Sequence, residues 1–88
     1  MRGVPHKFFK LPVRGTIYTV RFRSVASRLR GRADFGPKIL WILPGESAET
    51  TLIHEVLHAA LPDLDESSVL ETEAALYLAL QKFRRLKL

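Results

Sequence analysis

From Thr16 to Arg23 apolar and polar side chains alternate: Tyr18, Val20 and Phe22 share one face, and Ile17, Thr19, Arg21 and Arg23 share the other. A period of two describes a strand with one buried face. Phe8 to Val13 is a shorter apolar and basic stretch broken by Pro12, which reads as an edge strand or an extended lead-in. Gly15 marks the turn between these two segments. Ile39 to Leu43 is a compact apolar run closed by Pro44 and Gly45, a further strand in which Trp41 has the bulk to anchor a core. Between them, 24–36 carries Val25 and Leu29 in helical spacing. It ends in Gly31, Gly36 and Pro37, so it reads as a short helical turn or an irregular loop.

After Gly45 the period changes. Leu52, Ile53, Val56, Leu57, Ala59 and Ala60 frame a helix with Ser47 as its N-cap. Glu46 and Glu49 favour its positive end, and Pro62 stops it after Leu61. Residues 62–65 form a linker. A second helix begins between Asp65 and Ser68 and runs to about Arg85, with a stripe of Val69, Leu76, Leu80 and Phe83 joined by Leu70, Ala74 and Tyr77. Lys82, Arg84, Arg85 and Lys87 lie where the helix dipole prefers cations. The pattern predicts a single α+β domain over 1–88: a small, mainly antiparallel sheet of about three strands packed on two helices.

The first helix carries His54-Glu55-Val56-Leu57-His58, the pattern H-E-x-x-H. Residues four apart share a helical face, so both imidazoles can reach one metal ion. Glu55, at the side of the pair, can take a proton from water on that metal. A catalytic zinc uses three protein ligands and one open position. The extended motif that adds Gly and a third His is excluded, because Leu61 and Leu64 occupy those positions. Steps of three and four along the second helix give Val69, Glu73, Leu76, Leu80 and Phe83. They put one carboxylate inside an apolar stripe, where coordination would remove its desolvation cost. Glu73 is therefore the expected third ligand. Glu71 is the rival, although Ser68-x-x-Glu71 reads as a capping box. Asp63 and Asp65 suit the turn, and His6 is the remaining imidazole.

Composition narrows the choice. Eighty-eight residues, 47% of them hydrophobic, make one small globule whose core is marginal. There is no cysteine, so neither a disulfide nor a thiolate zinc site exists. No apolar run is long enough to span a bilayer, and Met1-Arg2-Gly3 does not lead into a signal-peptide core. The expected location is the cytoplasm, with no membrane partner. Charge is divided unevenly. Residues 1–44 hold ten Lys/Arg and one acid, Asp34, a net of +9; residues 45–88 hold four Lys/Arg and eight acids, a net of −4. The basic half, from Arg2 to Lys38, suits nucleic acid or an acidic protein, or a solvated sheet face that protects an edge strand.

The segment from Thr51 to Ala60, TLIHEVLHAA, follows an apolar strand and precedes a helix bearing a glutamate. In this it resembles the zincin metallopeptidases. It is similar within them to the short gluzincin-like group, small phage and prophage proteins related to the SprT and ImmA/IrrE types. Gly31 to Ile42, with Asp34 ahead of the strand, is also similar to the segment before the motif in those proteins, and the likeness covers roughly 31–85. The resemblance implies a minimal zincin core whose strand Ile39–Leu43 is the edge that pairs with an extended substrate. It implies one zinc ion held by His54, His58 and Glu73, and Glu55 as general base in hydrolysis of a peptide bond. The chain lacks the second lobe and the oxyanion-stabilising Tyr, His or Arg of larger peptidases; Tyr77 is the candidate for the latter role.

Two other readings follow from the same residues. A catalytically weak, zinc-bound interaction module would use the metal as a staple for a small core. A nucleic-acid-associated protein would use the basic half. An uncovered edge strand in so small a domain also favours oligomers.

Overall fold

In a computed structural model, which describes residues 7–23 and 30–87, the alternating segment pairs with its predecessor as a hairpin. Strand β1 (Phe8–Val13) runs antiparallel to β2 (Thr16–Phe22), from Phe8 opposite Arg21 to Val13 opposite Thr16. The turn residues Arg14 and Gly15 both have positive φ, 50° and 84°. Two such residues match the twist of the flanking strands. Arg14 is held there by donating from Nη1 to the carbonyl of Ala60, 2.9 Å away.

The sheet has four strands in the order β1-β2-β4-β3, where β3 is Gly31–Asp34 and β4 is Ile39–Ile42. This exceeds the expected three. It is also mixed, because β2 and β4 are parallel, with Arg21 opposite Trp41, whereas β3 and β4 are antiparallel. The expectation that Ile39–Leu43 forms the edge is corrected: β4 lies inside, between β2 and β3. The edges are β1, as its Pro12 suggested, and β3, from the segment read as turn or loop. His6 and the helical spacing at Val25 and Leu29 lie outside the described residues.

Helix α1 (Ala48–Ala60) crosses one face of the sheet. Val13, Tyr18, Val20, Leu40 and Ile42 point toward it and pack with Leu52, Val56, Ala59 and Ala60. Val20, Leu40 and Ile42 are fully buried, and each contributes roughly 1.5–3 kcal/mol of transfer free energy. Trp41 does not anchor this core. Between the inward Leu40 and Ile42 it faces the opposite side of the sheet, half-buried, and its indole donates to Asp34 Oδ2 at 2.9 Å.

Helix α2 (Glu66–Leu86) returns antiparallel along α1 and, among the described residues, packs on no other element. Its N-cap position is Asp65. Ser68 therefore sits within the first turn, and the Ser68–Glu71 capping box does not form. Only Val69 of the anticipated stripe is buried; Leu70, Leu76, Leu80 and Phe83 are exposed, and Tyr77 is half-buried. The cause is geometric. A helix of 21 residues laid on one of 13 meets a single neighbour and not a core. Arg84 and Glu49 pair across the far end of this helical hairpin. No helix among the described residues is long and apolar enough to cross a membrane.

Candidate metal centre

His54 and His58 lie one turn apart on α1, and their Nε2 atoms are 3.1 Å from each other. The linker between the helices is short, so the first turn of α2 returns beside the last turn of α1. That places the Glu66 carboxylate 3.4 Å from Nε2 of His54, through Oε2, and 3.1 Å from Nε2 of His58, through Oε1. The three residues form a group whose ligand atoms converge closely enough to hold one cation.

Glu73, expected as the third ligand, approaches a different atom. Its Oε1 is 2.7 Å from Nδ1 of His54. In the neutral ring, a proton on Nδ1 donated to Glu73 leaves a lone pair on Nε2, the atom that faces His58 and Glu66. A carboxylate behind a ligand histidine fixes its tautomer and orientation in this way. Sequence reasoning thus brought Glu73 to the centre through its stripe, but passed over Glu66. The signal that could have found Glu66 is the loop length. A helical hairpin closed within residues 61–65 sets residue 66 level with the last turn of the first helix.

Glu55 points the other way, toward the sheet, and is 7% exposed. Burial pushes its carboxyl above the usual range, while His54 and His58 pull it down and Glu66 and Glu73 push it further up. A proton acceptor raised in this sense is better matched to neutral pH. Gly31 of β3 makes the placement feasible. A Cβ there would lie 2.5 Å from Thr51 Cγ2 and 3.1 Å from Glu55 Oε2, so α1 approaches β3 over a residue with no side chain. Nothing in the sequence pattern singled Gly31 out beyond its turn propensity.

A cleft of about 230 Å³ opens between β3 and the two helices, lined by Arg30, Gly31, Thr50, Thr51, His54, Glu55, Leu70 and Glu73. His54 thus joins two environments, the cleft and the exposed rim where His58 and Glu66 stand; Glu66 is 61% exposed. Tyr77, the candidate oxyanion stabiliser, is half-buried one turn beyond Glu73 and does not line the cleft. Glu71 and Asp63 are exposed and belong to no ligand group among the described residues.

Comparisons with protein-family models, curated proteins and solved structures found no match.

Proposed function

We propose that this chain is a zinc-dependent metallopeptidase in which His54, His58 and Glu66 hold the ion. The observation that carries the reading is the set of spacings at the rim. Zinc bonded at roughly 2.0–2.1 Å in a tetrahedron keeps its ligand atoms about 3.3 Å apart. The two imidazole Nε2 atoms are 3.1 Å apart, and each stands close to one oxygen of the Glu66 carboxylate, His54 3.4 Å from Oε2 and His58 3.1 Å from Oε1. Two imidazoles and one carboxylate are also a donor set that zinc accepts in hydrolytic sites. When bound, the ion supplies Lewis acidity, which lowers the pKa of water toward about 7 and polarises a carbonyl.

The remaining steps belong to the chain. Glu73 orients the His54 ring. Glu55, buried beside the cleft and with its carboxyl raised, is the base of this reading: turned from Gly31 toward the rim, it would take the proton from the attacking water and return it to the leaving amine. A peptide substrate is supported by the sheet, since β3 is the one of its two edge strands that borders the cleft. The unpaired side of such a strand can hydrogen-bond to an extended chain. Glu55→Gln keeps the shape and removes the base, so this variant should bind zinc like the parent while cleavage of an unfolded protein falls at least 100-fold. Cleavage at the parental rate would sink the mechanism.

A second reading has its own support in the poor burial of α2, of which only Val69 is buried. Here the ion is a staple that holds α2 on α1, and the protein is an interaction module. Absence of cleavage by the zinc-loaded parent, together with loss of the fold on chelation, would favour that reading.

A further inference from the structure

We infer that the face of the sheet turned away from α1 is a docking surface for single-stranded nucleic acid, independent of the metal centre. Strand pairing sets Phe8 opposite Arg21, Arg21 opposite Trp41, and Trp41 opposite Arg32. One row across all four strands therefore reads aromatic, arginine, aromatic, arginine. These residues lie on the outer face, because their neighbours Val20, Leu40 and Ile42 fill the core beneath. Among the described residues, both helices lie on the other side of the sheet.

The row is both charged and stacked. Arg21 lies over the Phe8 ring at 5.0 Å, and Arg23 lies over Trp41 at 4.9 Å. Lys10 adds a further cation on the same face, donating to Thr19. Asp34, the single acid of residues 1–44, is already engaged by Arg32 at 3.1 Å and by the Trp41 indole N–H. That leaves Lys10, Arg21 and Arg23 to dominate the local potential. The Asp34 contact also fixes how the indole sits on the face.

These properties select the partner. Phosphates answer the cations, and unstacked bases answer the rings. A duplex hides its base faces, so a flat sheet could offer it only backbone contacts. An acidic peptide meets the cations but leaves Phe8 and Trp41 without a stacking partner. Exposed cation–π contacts are weaker than base–aromatic stacking. A base can therefore take a ring face while the displaced guanidinium turns to the adjacent phosphate.

Trp41 is the chain's one tryptophan, so its fluorescence reports on the proposed surface directly. Titration of the full chain with oligo-dT or oligo-U of about 12 nucleotides should quench that emission saturably. Log affinity should fall linearly with log salt, with a slope of about −0.7 per phosphate contacted. Arg21→Gln and Arg23→Gln should each flatten the slope by about 0.7. Phe8→Leu, at an edge-strand position 52% exposed, should weaken binding about 5- to 100-fold by anisotropy with the slope unchanged. Trp41→Leu should do the same, and circular dichroism reports whether either variant still folds. Three outcomes would overturn the inference: binding without quenching, a duplex of equal length bound as tightly, or polyglutamate competing as well as the oligonucleotide.

Discussion

Glu73 meets His54 at Nδ1, 2.7 Å away, while Nε2 of the same ring faces His58 and Glu66. One imidazole thus joins the cleft to the rim. If Glu66 is a ligand and Glu73 orients one, the two carboxylates differ in what their removal does. Glu73→Gln should lower zinc affinity about 10- to 100-fold. Glu66→Ala should cost more, because a donor atom is lost. Competition against a fluorescent chelator measures both. A larger loss for Glu73→Gln than for Glu66→Ala would reverse the two roles.

Gly31 gives a second prediction. An alanine Cβ would meet Thr51 Cγ2 at 2.5 Å and the Trp41 carbonyl at 2.9 Å. The carbonyl is backbone and cannot swing aside. Gly31→Ala should destabilise the fold by about 1–3 kcal/mol and push α1 away from β3, taking Glu55 with it. Urea unfolding reads the first effect. A parallel loss of any hydrolytic activity reads the second.

Metal removal tests the helical hairpin. At free zinc 100-fold above its dissociation constant, linkage contributes about 2.7 kcal/mol, which for a domain of this size is roughly 10–20 °C in Tm. A chelator should remove that increment. Hydrogen exchange should then quicken in α2, which packs only on α1, before it does in β2 and β4. Uniform quickening across the sheet and both helices would contradict a hairpin held by the ion.

Acid should loosen the same hairpin at both ends. Arg84 beside Glu49 holds that carboxyl below its usual range, and Ser68 does the same for Asp65. A carboxyl depressed in the folded state contributes stability that is fully present above its unfolded value, 4.5 for Glu49 and 3.8 for Asp65. That contribution is lost as pH falls through the folded value. Urea midpoints should therefore drop between about pH 5 and pH 3, and Glu49→Gln should drop less. Both groups are exposed, so added salt should shrink the difference.

Much of the framework follows from local signals. β1, β2, β4 and both helices begin and end within about two residues of their expected bounds. Period-two alternation is unambiguous at Tyr18, Val20 and Phe22, and Gly45 and Pro62 punctuate the rest. The failures share a cause, which is that they depend on partners distant in sequence. Gly31-Arg32-Ala33-Asp34 has no apolar alternation and is a strand only because β4 pairs with it. The run Ile39–Ile42 is apolar throughout, so periodicity could not say which face Trp41 takes. The stripe on α2 implied a core, but among the described residues the one element it packs on is α1. His54, Glu55 and His58 were evident because four residues along one helix determine their relation. Glu66 was not, because its position depends on how the linker turns.

With both helices on one side, the sheet works as a partition. The alternation that sends Val20 and Leu40 inward sends Arg21 and Trp41 outward, so a slip of one residue between β2 and β4 would bury cations and strip the core at once. Register is thereby guarded from both directions. Substitutions confined to either side should combine with nearly additive effects, leaving each surface free to change its chemistry while the other keeps its own.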